Sequence, residues 1–135
     1  MTEERPRNRH RILVVDDEPD LIAVLRHGLE AEGFEVVSAG DGEEGLRRAR
    51  EDRPSLIVLD LMLPKLDGYK VCRALKFDER YKAIPILILS ARSGEQDRRL
   101  ALDMGADAFV TKPYEMRALV AAIRERVGAG GRAAA

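Results

Sequence analysis

Short apolar runs recur along this chain, and each delivers a polar residue at its C-terminal end. Residues 12–15 run into Asp16 and Asp17, residues 56–59 into Asp60, residues 86–89 into Ser90, and Phe109 with Val110 into Thr111 and Lys112. Runs this short and this rich in valine, isoleucine and leucine read as buried strands, expected at residues 12–15, 34–38, 56–59, 84–89 and 108–110. Only 34–38 is less apolar, as suits an edge strand. Between the runs the apolar spacing turns helical, over residues 19–31, 43–51, 69–77, 95–104 and 115–127. Pro19 suits a first helical turn, and Gly33 and Gly105 stand where helices stop. Strand and helix alternating in this way predict an α/β fold, a parallel sheet with helices on both faces.

In an open parallel sheet the carboxyl ends of the strands line one crevice, so the polar residues that end the runs converge. Three carboxylates, a hydroxyl and an ammonium are equipment for handling a metal and a phosphoryl group. Carboxylates at this density repel one another unless a hard cation such as Mg2+ sits among them, and a lysine supplies charge to hold an anionic phosphate.

Length and charge narrow the classes. A chain of 135 residues fits one domain with a real core. With 23 basic and 24 acidic residues it has no charge reason to bind nucleic acid or an anionic membrane. No apolar run approaches the roughly 20 residues that span a bilayer, and the first residues are polar where a signal peptide would be apolar, so the expected location is cytoplasmic. Cys72 is the only cysteine, which excludes an intramolecular disulfide and reads as a helix residue packing like a small hydrophobe. Residues 1–10 read as a flexible charged tail, 11–127 as the folded domain and 128–135, rich in Gly and Ala, as a flexible tail or linker.

Gly40-Asp41-Gly42-Glu43-Glu44-Gly45 matches a dinucleotide-binding fingerprint, but it follows the second strand and crowds acids where a pyrophosphate must bind. A turn with Asp41 as N-cap and Glu44 three residues on accounts for its acids better. Asp60 is different, because an unpaired carboxylate directly after a buried strand is costly unless something charged answers it. Asp16 or Asp17 also caps the following helix on this reading, Ser90 can serve as a cap, and Lys112-Pro113 can be a plain turn.

Taken together, Asp16-Asp17, Asp60 in Asp-Leu-Met-Leu-Pro, Asp67-Gly68, Ser90-Ala91, Gly105-Ala106-Asp107, Phe109 and Lys112-Pro113 resemble the receiver domain of two-component response regulators. The matches run in the family's order and spacing from Arg11 to about Val127. The resemblance implies a flavodoxin-like (βα)5 three-layer sandwich with a parallel five-stranded sheet in the order 2-1-3-4-5, a topology that a member of this family illustrates. It implies that Asp60 takes a phosphoryl group from a phosphohistidine on a sensor histidine kinase or phosphotransfer protein. Asp17, Asp60 and the backbone carbonyl of Met62 would ligate Mg2+, with Asp16 acting through water. Lys112 would hold the phosphoryl oxygens, and Ser90 would bond the phosphoryl group, opening space for Phe109 to turn. The face of the fourth helix, fifth strand and fifth helix would then change shape as the output surface. Met62 and Arg92 would tune the phosphorylated lifetime, and the Lys112–Pro113 bond would be cis. The domain would be mainly a signalling phosphoacceptor, with intrinsic self-phosphorylation and autodephosphorylation activity.

Two other classes fit less well. A haloacid dehalogenase-like phosphatase needs a second aspartate two residues after the nucleophile, where this chain has Met62, and a pseudo-receiver that only binds would have lost Asp17, Asp60 or Lys112. Nothing after Val127 reads as an effector, so the expectation is either direct binding of a downstream target or an effector domain beyond Ala135, with no direct nucleic acid or membrane binding by this domain. A phosphorylation-dependent dimer through the output face belongs to the transcription-factor branch. That branch carries two acids after Gly-Ala, where this chain has Asp107-Ala108.

Overall fold

The computed structural model describes the backbone of residues 10–134 and the side chains of residues 10–127. Five strands, β1 (Arg11–Val15), β2 (Glu35–Ala39), β3 (Leu56–Leu59), β4 (Ile86–Ser90) and β5 (Ala108–Thr111), alternate with five helices. The helices are α1 (Pro19–Ala31), α2 (Gly42–Asp52), α3 (Gly68–Lys76), α4 (Glu95–Asp103) and α5 (Met116–Ala134). The strands form one parallel sheet in the order β2-β1-β3-β4-β5, with helices on both faces, the flavodoxin-like sandwich that the sequence implies.

Alternation along the strands divides the core in two. Leu13, Val15, Ile57, Leu59, Ile86 and Ile88 face one side and pack with Ala49 of α2, Val71, Cys72 and Leu75 of α3 and Ala101 of α4. Ile12, Val14, Leu56, Val58, Leu87 and Leu89 face the other, against Leu25 and Leu29 of α1 and Leu119, Ile123 and Val127 of α5. All of β3 is buried, which explains why it reads as an unbroken apolar run rather than an alternating one. Cys72 packs in this core with its thiol against the Met104 carbonyl, and burial pushes its pKa up to about 12, the behaviour of an inert structural cysteine.

Most element ends lie within a residue of the sequence expectation, and three features depart from it further. The fourth strand begins at Ile86 rather than residue 84, because Asp107 intervenes: its Oδ2 accepts the Ile86 N–H at 2.8 Å and the Lys76 ammonium at 3.0 Å. Lys76 also donates to the carbonyls of Lys82 and Ile84, so Asp107 of the Gly-Ala-Asp stretch ties α3 to the sheet away from the strand ends that carry the site. The N-cap of α1 is Glu18, with no side-chain cap, in place of Asp16 or Asp17; Asp16 Oδ1 accepts the Glu18 N–H at 2.9 Å instead. Finally, α5 continues to Ala134, where the sequence suggested a linker over 128–135. Alanine is the best helix former, and it extends a helix already seated on the sheet despite the glycines. The tail expected over 1–10 lies outside the described residues except for His10.

The acidic Gly-rich stretch is a helix start. Asp41 caps α2 by accepting the Glu44 N–H at 2.8 Å, which lowers the Asp41 pKa, while Glu44 accepts the Gly40 N–H at 2.9 Å. Gly45 lets α2 sit directly on Val15, whose Cγ1 would lie 2.7 Å from an added Cβ.

Gly68 opens α3 against the site itself, where a Cβ would overlap the carbonyl of Asp60 and the Cα of Leu61. Gly68→Ala therefore forces backbone apart, and denaturant unfolding should show a loss of about 1–3 kcal/mol. Gly40→Ala, whose Cβ meets nothing nearer than Glu44 Oε1 at 3.9 Å, should stay within about 0.5 kcal/mol of the parent chain. Equal effects for the two would show that α3 can shift away from Asp60.

Candidate functional site

Parallel pairing sets the site. Val15 is level with Leu59 across β1 and β3, so the residues that follow, Asp16, Asp17 and Asp60, emerge side by side. One carboxylate oxygen from each lies within 4.8 Å of the others. Asp16 and Asp60 are buried and Asp17 is exposed, so the cluster is a crevice with one open wall. From β5, Lys112 reaches back into it: Nζ stands 3.0 Å from Asp16 Oδ2 and 3.6 Å from Asp60 Oδ2. The Lys112–Pro113 peptide bond that follows is cis. The Lys112 N–H donates to the Ser90 carbonyl at 2.9 Å, which sets β5 beside the end of β4.

Asp60 is oriented from below and opposed from above. Its backbone N–H donates to the Val15 carbonyl, and its Oδ1 accepts the Met62 N–H at 3.3 Å. Burial pushes its carboxyl above the ordinary carboxylate range; Lys112 opposes that rise, and the neighbouring charges of Asp16 and Asp17 add to it. Burial also works against the Lys112 ammonium, but the hydrogen bond to Asp16 and the charge of Asp60 outweigh it and hold its pKa above the usual lysine value. One lysine thus faces several carboxylates. All the side-chain donors here are hard oxygens, and an excess of negative charge in a part-buried crevice suits Mg2+ better than a soft metal.

The remaining expected residues lie around this cluster. Ser90 is fully buried and its Oγ accepts the Arg92 N–H at 3.1 Å, so it orders the β4–α4 loop; α4 itself is capped by Gly94, without a side-chain bond. Phe109 sits in β5 beside Ile88, its ring 4.7 Å beneath the guanidinium of Arg98 from α4, which also donates to Thr111 Oγ1 at 2.9 Å. Met62 and Arg92 meet at the rim, where Arg92 Nη1 lies 3.6 Å from the Met62 sulfur. Asp97 on α4 pairs with Arg92 there and accepts the hydroxyl of Tyr69 on α3; neither Asp97 nor Tyr69 is singled out in the sequence. They come together only through tertiary packing, and no spacing in the chain announces them.

A parallel sheet of this order, with an acidic crevice and a lysine at the carboxyl ends of its strands, defines a flavodoxin-like domain with its site where such sheets bind their ligands. The chain belongs to the response regulator receiver domain family, whose family model matches residues 12–124. It is 46% identical over 114 residues, 84% of this chain, to the alkaline phosphatase synthesis transcriptional regulatory protein PhoP of Bacillus subtilis. It is 45% identical over 119 residues, 88% of this chain, to the DNA-binding response regulator MtrA of Mycolicibacterium smegmatis. The matches cover 47% and 51% of those proteins, so the chain spans about half the length of the curated relatives it matches. Among solved structures it is similar to the receiver domain of the sensor histidine kinase PA1611 from Pseudomonas aeruginosa, with a TM-score of 0.82 and 30% identity over 89% of this chain and 98% of that one. That structure has a magnesium ion coordinated in its active-site cleft. The BeF3-activated receiver domain of RstA from Klebsiella pneumoniae is also similar, with a TM-score of 0.81 and 27% identity over 87% of this chain and 97% of that one. Among the described residues no helix is long and apolar enough to cross a membrane.

The raised pKa of Asp60 makes a stability prediction. A carboxyl that holds its proton more tightly folded than unfolded leaves stability intact below the ordinary carboxylate value and erodes it as pH rises through the raised folded value. At neutral pH the charged form is therefore a cost. Asp60→Asn removes that cost and leaves Lys112 its closer partner, Asp16. In metal-free buffer at neutral pH the variant should melt a few degrees higher, with the advantage shrinking as pH falls to the ordinary carboxylate value. An unchanged or lower melting temperature would show that Lys112 already offsets the burial.

Proposed function

We propose that this receiver domain accepts a phosphoryl group on Asp60 in a Mg2+-dependent reaction, from a phosphohistidine of a sensor histidine kinase or phosphotransfer protein. The observation that carries the reading is the Asp60 carboxylate itself. It is buried at the end of β3, oriented by the Met62 N–H, and faced by Lys112 and two further aspartates. Asp17, Asp60 and the Met62 carbonyl, with Asp16 through water, would hold the ion. Bound there, Mg2+ supplies charge neutralisation for the carboxylates and for the phosphoryl oxygens.

An Asp60 oxygen attacks phosphorus in line as the P–N bond to the donor imidazole breaks, and the electron pair leaves with the nitrogen. Lys112 gives up part of its hold on Asp60 and Asp16 to pair with a phosphoryl oxygen, replacing a carboxylate with a more highly charged partner. The Ser90 hydroxyl turns to the phosphoryl group, and Phe109 moves into the space it leaves. The consequence is a new shape on the α4-β5-α5 face. About −1.5 to −2 charge, the figure for other phosphorylated side chains, is enough to bias such a loop. The reading is of a cytoplasmic switch, with slow autodephosphorylation, that acts on a downstream target or on an effector domain carried elsewhere in the protein. A dimer through the α4-β5-α5 face is one way the output would be read. The names of the relatives, transcriptional and DNA-binding regulators, support an effector of that kind.

Incubation with acetyl phosphate should give an acid-stable, hydroxylamine-labile adduct in Mg2+ and none in EDTA. Asp60→Asn should abolish it, and undiminished labelling of that variant would overturn the assignment. Removal of the donor then measures the lifetime. Met62 offers an attacking water no useful donor or acceptor and Arg92 covers the phosphoryl group, so Met62→Asn should shorten the lifetime and adding Arg92→Glu should shorten it further. Equal decay in parent and double variant would show that neither residue governs water access.

A further inference from the structure

A cleft of about 510 Å³ opens beside the carboxylate cluster, with Asp17, Met62, Tyr69 and Arg92 in its wall. Arg92 is held in that wall at both ends. Its backbone N–H donates to Ser90 Oγ at 3.1 Å, and its guanidinium pairs with Asp97 Oδ1 at 3.2 Å. Tyr69, on α3, donates its hydroxyl to the same Asp97 oxygen at 3.0 Å. Burial of the phenol, with the carboxylate beside it, raises its pKa, so it remains a donor. The Asp97 side chain is only 19% exposed although Arg92 is 53% exposed, so the carboxylate is fixed and the arginine is the member free to swing. Asp97 does not cap α4, whose N-cap is Gly94.

We propose that Arg92 is a two-position arm, and that Asp97 and Tyr69 are positioning residues that hold it away from Asp60 and compete with a phosphoryl oxygen for its guanidinium. The inference rests on Asp60 being the phosphoacceptor. When the Ser90 hydroxyl turns to the phosphoryl group it gives up the Arg92 N–H, which frees the loop. The guanidinium then exchanges a carboxylate for a phosphoryl group, a stronger charge-assisted acceptor. The first turn of α4 loses its tie to the site in the same event. Linkage makes the effect reciprocal: a partner that captures Asp97 from outside tightens phosphoryl binding at Asp60.

Beryllofluoride with Mg2+, a mimic of the phosphoryl group, tests this by calorimetric titration. Asp97→Asn should tighten its binding about two- to fivefold, the range an exposed ion pair carries. Tyr69→Phe should tighten it less, and Arg92→Gln should weaken it. Arg92→Lys should recover part of the loss, since a lysine keeps the charge without the fork. The deciding measurement is the pair: in an Arg92→Gln background, Asp97→Asn should have no effect. Affinities that are flat across the single variants, or an Asp97 effect that survives without Arg92, would overturn the arm while leaving the phosphoacceptor reading intact. Failure of the parent chain to bind beryllofluoride in Mg2+ would overturn both.

Discussion

The Lys112 ammonium, standing between Asp16 and Asp60, is the contact on which the site depends. The parallel topology brings three carboxylates to the ends of two adjacent strands, where they repel one another and two of them are out of water. Without an opposing charge the ends of β1 and β3 would have to splay or neutralise. Lys112 comes from β5, at the far edge of the sheet, so its reach across β4 and β3 to β1 links the edge of the domain to its centre. One lysine does not balance three carboxylates, and the residual negative charge would suit a divalent cation. In the proposed function the same imbalance lets the lysine exchange a carboxylate for an incoming phosphoryl group.

The rest of the fold keeps that crevice in register. The sheet carries a full apolar layer on each face, so the strands cannot slip relative to one another without exposing one layer or the other. Gly68 lets α3 start against the backbone of Asp60 and Leu61, which fixes where Asp60 stands beside the helix. Lys76 and Asp107 bind the end of α3 to the start of β4, leaving the Ser90 end of β4 and the loop to α4 as the part with polar, replaceable ties. Buried strands hold the charges, and the polar ties cluster at the β4–α4 loop, where the proposed change of shape would begin.

Much of this was legible in the sequence because strand burial and strand ends leave local marks. The unbroken apolar run at 56–59 followed by Asp60 marks a central strand and its site residue together, and Pro19 and Gly33 bracket α1. What was not legible depends on contacts distant in sequence. Asp107 is marked in the sequence only as part of Gly105-Ala106-Asp107, and its bond to the Ile86 N–H is not; Asp97 and Tyr69 are ordinary helix residues until α3 and α4 pack side by side. Asp16 looks like a helix cap from its spacing, but Lys112 claims one of its oxygens and the Glu18 N–H the other, and α1 starts without a side-chain cap. The continuation of α5 to Ala134 was hidden by a Gly/Ala-rich composition that reads as a tail or linker.

The central claim is that, of three clustered aspartates, Asp60 alone is the nucleophile. Its place after the central strand β3, its orientation by the Met62 N–H and its distance from Lys112 set it apart from Asp16, which is occupied by Lys112 and the Glu18 N–H, and from exposed Asp17. Borohydride reduces an aspartyl phosphate to homoserine, so peptide sequencing by mass spectrometry after phosphorylation in Mg2+ and reduction reads the modified position directly. Homoserine at position 60 alone is the predicted result, and homoserine at position 16 or 17, or at none of the three, would contradict the account.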